Sequence, residues 1–133
     1  MNKEALKTAL YYTCLDMYGE QRCEQNLSRK ELEAAHKKMD GDIKEMAPRV
    51  GSITDVQLED IRREAETKLD TLFLELAAYL EPLIPKVKSG LPSDELDLVV
   101  AQAEKFQREQ SAKIIETQKQ ISYIDLFLTK RVM

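Results

Sequence analysis

The stretch "LFLELAAYLEPLIP", residues 72–85, is an apolar segment in a chain of which 33% is charged. Ten of its fourteen residues are apolar, and two prolines close it. On a helical projection, the residues before it form one narrow apolar stripe, and from residue 72 onward two stripes run side by side. The narrow stripe contains Leu58, Ile61, Ala65 and Leu69, and the two later stripes contain Leu72, Leu76, Tyr79 and Leu83, and Phe73, Ala77, Leu80 and Ile84. Two stripes suit two neighbouring helices, so the pattern predicts that a two-helix seam becomes a bundle at this segment.

The residues that flank this segment predict a helix over 55–81. Thr54 and Gln57 have the spacing of a capping box, in which each side chain binds an orphan amide of the other residue. Pro82 lacks an amide hydrogen, and Pro85 disfavours helical geometry at the residue before it. The sequence leaves open whether Pro82 kinks the helix or ends it.

Three further helices are predicted over 3–18, 29–46 and 94–131. Gly19 suits the end of the first of them, and Ser28 with Glu31 forms a second capping box. The residues between the second and third helices, "APRVGSITD", are typical of a linker.

The last helix carries apolar residues three and four apart, which is the spacing of a coiled-coil seam. Gln110 and Thr117 are polar members of this seam and predict either a weak point or a hydrated stretch, and whether the helix is continuous is left open. The prediction is an all-α protein: one domain over 1–133, an elongated bundle of three to four helices, with coiled-coil character in the two C-terminal helices.

Composition and charge exclude several classes of protein. Hydrophobic residues make up 43% of the chain, with only four Gly and four Pro, which argues against disorder and against a turn-rich β-protein. The net charge is −4 and no segment is strongly basic, so nucleic-acid binding is not expected. The start "MNKEALKTAL" lacks a long apolar run, and no stretch is long enough to predict a transmembrane segment. Cys14 and Cys23 do not have metal-ligand spacing, and together these features favour a reducing, cytoplasmic location.

No residue pattern predicts catalysis, a cofactor or a metal, so an enzyme is not expected. Glu33 and His36 have the spacing of a di-iron helix, but a second such pair would be needed and His36 is the only histidine. "DGDIKE", residues 40–45, lacks the register of a calcium loop. No glycine-rich phosphate-binding loop is present.

The lengths of the last two helices favour a partner protein. A compact domain of 133 residues is about 36 Å across, whereas a helix over 94–131 is about 57 Å long. An extended apolar seam covered only by thin helices stays partly exposed, and exposed seams mark interfaces. We therefore expect a non-enzymatic structural or adaptor protein, a small coiled-coil subunit of a larger complex that binds protein partners as a hetero- or homo-oligomer. The candidate partner-binding residues are Leu72, Phe73, Leu76, Tyr79, Leu80, Leu83, Ile121, Ile124, Phe127 and Leu128.

One alternative function and one structural question remain open. The chain could be a freestanding acidic helical bundle that binds and blocks a target protein, as a phage or bacterial inhibitor or a secretion chaperone does. The C-terminal segment "ISYIDLFLTKRVM" is apolar almost all round, and either the chain's own bundle or a partner would cover it.

Overall fold

The computed structural model describes the backbone of residues 3–90 and 92–132 and the side chains of 3–90 and 92–129. These residues form helices and no strand, which confirms the predicted all-α fold. The coiled-coil character stays a prediction. The helices in chain order are α1 (Lys3–Tyr18), α2 (Glu20–Glu24), α3 (Arg29–Gly51), α4 (Asp55–Leu80), α5 (Leu83–Lys88) and α6 (Ser93–Val132).

Local sequence signals set most of the helix ends. Gly19 has a φ of 84°, a left-handed conformation that glycine adopts without strain, and α1 ends directly before it. Both predicted capping boxes are present. The amide of Glu31 donates to Ser28 Oγ at 3.2 Å, and the amide of Gln57 donates to Thr54 Oγ1 at 3.1 Å.

Helix α3 is longer than the sequence predicts, because it continues through Pro48 to Gly51. The predicted linker is therefore wrong over its first five residues. A proline inside a helix costs about 3 kcal/mol, since it removes a hydrogen bond and crowds the preceding turn. Val50 in the extra turn is buried against Leu58 and Phe127, and this burial offsets part of that cost.

Helix α6 is continuous and forms the axis of the molecule, about 60 Å long for its 40 residues. Helix α1 runs antiparallel to it, as the 2.7 Å bond from Lys119 Nζ to Asp16 Oδ2 and the contact of Thr13 with Tyr123 indicate. Helix α4 also runs antiparallel to α6. Its contacts include the 2.6 Å bond from Arg62 Nε to Asp125 Oδ1 and, further along α4, a ring stack between Tyr79 and Phe106.

The prolines end helix α4 instead of kinking it. Helix α4 stops at Leu80, and α5 begins at Leu83 with Pro82 as its N-cap residue. The turn at Gly90, which has a φ of 77°, then leads the chain towards α6. Residues 72–90 and 92–107 thus form a helical hairpin, whose closed end lies where α5 is followed by α6.

The main core lies at the opposite end of the molecule from this turn. One cluster joins α1, α3 and α6 through Ala9, Met39, Tyr123 and Leu126. A second cluster joins α3, α4 and α6 through Val50, Leu58, Ile124 and Phe127. The bundle is therefore thickest near the start of α4 and the end of α6.

The prediction that the bundle begins at residues 72–85 is wrong in its location. Leu72 is buried against α6, but the second apolar stripe of α4 is uncovered from its first residue onward, and only Leu80 on it is partly buried. Phe73 and Ile84 on that stripe are both about half exposed. Helix α1 is too short to reach further, because it ends at Tyr18 and the chain turns back into α3.

A buried polar group joins three helices inside the core. Tyr123 is only 3% exposed, and its hydroxyl lies 2.9 Å from Thr13 Oγ1 and donates to Asp42 Oδ2 at 3.2 Å. Burial raises the pKa of Tyr123 to about 12, with the Asp42 carboxylate acting in the same direction and the Thr13 hydrogen bond opposing it.

Replacing Phe127 by alanine should lower the free energy of unfolding by about 3–5 kcal/mol, because it removes a buried ring and leaves a cavity in the second cluster. The matched control is Leu98→Ala on the same helix. Leu98 is 59% exposed, so that change should stay within about 0.5 kcal/mol of the wild type. Urea unfolding followed by circular dichroism measures both. Similar losses for the two variants would contradict the assignment of the core to this end.

Tyr123 should make stability fall at high pH. Its pKa in the folded protein, about 12, lies above the ordinary value near 10, so its contribution is complete below pH 10 and is lost as the pH rises towards 12. Tyr123→Phe removes this titration. The wild type should therefore lose about 2–3 kcal/mol more stability than the variant between pH 9 and pH 12, measured by urea unfolding. Parallel pH profiles would show that the phenol is not held in its protonated form.

Candidate functional site

An apolar cleft lies in the helical hairpin between α4–α5 and the first turns of α6. It has a volume of about 410 Å³. We call it the open groove. Its lining residues are Leu80, Leu83, Ile84, Val87 and Lys88 on one side and Val99, Val100, Ala103, Glu104 and Gln107 on the other. Seven of these ten residues are apolar, so the groove can bind an apolar surface and offers few groups for chemistry.

Three large side chains of the open groove are exposed. Ile84 is 53% exposed, Val87 45% and Val100 40%. All three line the same cleft, whereas most apolar residues on a protein surface are scattered singly. Clustered apolar exposure of this kind marks an interaction site.

The open groove continues the surface that α1 covers. Glu104 and Gln107 line the open groove and also line a cleft of about 630 Å³ together with Leu15 of α1 and Gly19, which follows α1. Asp16 in the last turn of α1 binds Lys119, so α1 ends about 20 Å along α6 before the level of Glu104. The open groove lies on the part of the α4–α6 surface that α1 does not reach.

A stacked pair of rings holds the hairpin together at the inner end of the groove. The ring centroids of Tyr79 and Phe106 lie 4.1 Å apart with an angle of 21° between the planes. One turn further from the groove, Gln110 is buried and its Nε2 donates to the carbonyl oxygen of Leu72 at 2.9 Å and to Glu75 Oε2 at 3.0 Å. These contacts fix how α4 is aligned against α6.

The seam residues Gln110 and Thr117 do not form a hydrated stretch. Both are buried, and the Thr117 hydroxyl donates to the carbonyl oxygen of Lys113 at 2.8 Å. Within the part of the chain that the structure describes, no buried side-chain nitrogen or oxygen lacks a hydrogen-bond partner.

The ten residues that the sequence proposes as a partner surface fall into three groups. Leu80 and Leu83 line the open groove. Phe73 and Leu76 line a neighbouring cleft of about 330 Å³ that is bordered by Tyr11 and Tyr12. The other six contact residues of their own chain or are largely covered by it: Leu72, Tyr79, Ile121, Ile124, Phe127 and Leu128.

The C-terminal residues in that last group are packed against α3 and α4. Ile124 and Phe127 are buried in the second core cluster, and Leu128 packs against it. The chain's own bundle therefore covers this part of α6.

The sequence reading missed the other half of the groove. Val87 and Val100 were not proposed as contact residues, although both are exposed and line it. The adjacent apolar residues Val99 and Val100 were the feature of the sequence that could have indicated a second contact surface on this helix. Neighbouring residues on a helix point about 100° apart, so one can face α4 and the other the groove.

The polar residues considered for chemistry are dispersed. His36 is exposed on α3, and Glu33 pairs with Arg29 at 3.3 Å. Cys14 and Cys23 are free thiols, and burial raises the pKa of both. Among the described residues, no group of three or more His, Cys, Asp or Glu side chains could hold a metal ion. None of the helices, over the residues described, is long and apolar enough to cross a membrane.

Comparisons with protein-family models, with curated proteins and with solved structures find no match for this chain.

A charged substitution should lower the free energy of unfolding much more in the core than in the open groove. Val100→Asp places a carboxylate on a side chain that already faces water, so the free energy of unfolding should change by less than about 1 kcal/mol. Leu72→Asp buries an unpaired charge between α4 and α6 and should unfold the chain or cost more than about 3 kcal/mol. Urea unfolding followed by circular dichroism compares the two. A large loss of stability for Val100→Asp would show that the groove is closed in solution.

Proposed function

We propose that this protein is a non-enzymatic binding protein whose open groove takes an apolar helical surface of a protein chain, as a small subunit or adaptor in a larger assembly. The observation that carries the proposal is the exposure of Ile84, Val87 and Val100 along one continuous apolar cleft. We expect it to act in the cytoplasm.

The shape of the groove supports a helical ligand. Two antiparallel helices form its walls, and α1 already lies along the same side of α6 a few turns away. Binding a helix by its apolar stripe is a common mode of recognition, because residues three and four apart can all enter one groove. Covering the exposed apolar side chains contributes roughly 25 cal/mol for each Å² removed from water.

The distribution of charge supports binding and not catalysis. Only Lys88 and Glu104 among the lining residues are charged, and they lie on opposite walls. General acid–base chemistry needs titratable groups within hydrogen-bond reach of one reacting atom, and this lining does not concentrate them.

Site-specific photo-crosslinking tests the proposal. A photoreactive amino acid at position 100 should yield a covalent adduct with a protein chain in cells, because this side chain faces the open groove. The control position is 98, which is more exposed and lies on the same helix but does not line the groove. Adding Ile84→Asp to the chain should abolish the adduct from position 100.

The crosslinked residues of the ligand should lie on a helical stripe with spacings of three and four, as mass spectrometry of the adduct can determine. Equal yields from positions 98 and 100, or no adduct from position 100, would refute the proposed binding site.

A further inference from the structure

We propose that the ligand of the open groove is one amphipathic helix of another protein, about five turns long, which lies along α6 from the open groove to the cleft at Phe73, Tyr11 and Tyr12. This inference rests on the proposed function, because it assigns the ligand of the same surface and extends its binding site. Three observations support it: the continuity of three clefts, the uncovered apolar stripe of α4, and the unpaired charges along both.

Three clefts follow one side of α6 and share lining residues. We call the cleft of about 330 Å³ at Phe73 the aromatic cleft. The open groove shares Glu104 and Gln107 with the cleft of about 630 Å³, and that cleft shares Ser111 and Ile115 with the aromatic cleft. The three clefts therefore form one continuous depression, which we call the furrow.

The α6 side of the furrow has helical periodicity. Its lining residues include Val100, Glu104, Gln107, Ser111 and Gln118. These residues are three, four or seven positions apart, so they share one face of α6 and one straight ligand can contact them all. Val100 and Gln118 are 18 residues apart, about 27 Å, which is the length of a helix of about five turns.

The opposite wall is the second apolar stripe of α4, which stays open to water. Phe73 is 46% exposed and Ile84 is 53% exposed, and Leu80 between them is only partly buried. Helices α4 and α6 are antiparallel and Tyr79 lies level with Phe106, so Phe73 lies level with about residue 112 of α6 and Ile84 with about residue 101. The stripe therefore offers apolar contacts at both ends of the furrow.

The furrow is apolar at its two ends and polar in its middle. The open groove forms one apolar end, and Phe73 and Tyr11 of the aromatic cleft belong to the other. Gln107 and Ser111 lie between them. A helix that fits this pattern has two apolar contact points about 12 residues apart on one stripe, because the levels of Phe73 and Val100 on α6 differ by about 12 residues, or 18 Å.

Four charged lining residues form no ion pair with another side chain in the described part of the chain: Lys88, Glu104, Arg108 and Glu20. Lys88 is the last residue of α5, at the closed end of the hairpin. The other three lie further along the furrow, where two acids and one base leave a net charge of −1. Asp16 in the same cleft is already bound to Lys119 at 2.7 Å.

These charges define the chemistry of the ligand. Its end near Lys88 should carry an acidic side chain, and its remaining length should carry a net positive charge. Charges arranged in this way on the rim of an interface mainly select the partner and its alignment, whereas the apolar ends supply the buried contact.

Photo-crosslinking at two distant positions tests the length of the site. A benzophenone amino acid placed at position 73, and in a separate chain at position 100, should crosslink to the same protein in cells. Val100→Asp should lower the yield of the position-73 adduct about tenfold, because one helix occupies both ends of the furrow. The control position is 74, which is 70% exposed on the same helix but lines none of the three clefts.

Mass spectrometry of the two adducts gives the decisive measurement. The ligand residues that react with the two probes should lie in one chain and about 12 residues apart, to within about one helical turn. The sequence between and around them should show the apolar stripe and the order of charges described above.

A charge reversal tests the end at Lys88. Lys88→Glu should lower the yield of the position-100 adduct about two- to fivefold, because it places an acid beside the acidic end of the ligand. Lys86→Glu is the matched control, since it makes the same change on the same helix at a residue that does not line the furrow. Both lysines are exposed, so circular dichroism should show unchanged helicity for each variant.

Several results would overturn the inference. The reacting ligand residues could lie within one turn of each other or in different chains, or the position-73 adduct could survive Val100→Asp. Equal yields from positions 73 and 74 would show that the aromatic cleft is not part of the site, and equal effects of the two lysine reversals would contradict the assigned charges. An adduct between two copies of this chain would replace the partner helix by a second copy.

These failures differ from a failure of the proposed function. An adduct from position 100 without one from position 73 would overturn the five-turn ligand and keep the open groove as a binding site. A chain that gives no adduct at position 100 would overturn both.

Discussion

The structure depends on covering the apolar stripe of one long helix. Helix α6 is about 60 Å long, and no other helix in the described residues approaches that length. Helix α4 and the short α5 cover one side of it, and α1, which spans about 24 Å, covers part of a second side. On the side of α1, the apolar surface of α6 is therefore covered near the C-terminal end of α6 and exposed near its start. The core and the open groove are two consequences of the same difference in length.

Polar residues inside the seam fix the alignment of these helices. Apolar stripes alone allow two helices to slide by a turn, because the stripe repeats with each turn. Gln110 binds the backbone of Leu72, and Tyr123 binds both Thr13 and Asp42, so each can be satisfied in one alignment only. A buried polar group left without its partner costs about 1–3 kcal/mol, which disfavours the shifted arrangements. The position of the open groove follows from this alignment.

Sequence patterns predicted the local features well and the distribution of packing less well. Capping boxes at Ser28 and Thr54 and the stop at Gly19 depend on neighbouring residues, so the sequence was sufficient for them. The extension of α3 through Pro48 depends on Val50 meeting α4 and α6, which is a contact between distant parts of the chain. The sequence shows a wider apolar stripe after Leu72, but a wide stripe does not state whether a helix of the same chain covers it. The stripe stays exposed because α1 ends at Tyr18.

The separation of the groove from the core has a consequence for binding. Val100 and Phe127 are 27 residues apart on one straight helix, which places them about 40 Å from each other. Substitutions at such a distance act independently unless they share a partner. The hairpin can therefore change its contacts without loosening the core, and the core can hold α4 and α6 in alignment without closing the groove. A ligand seated on the hairpin would cover a second stretch of α6, nearer its start than the stretch that α1 covers.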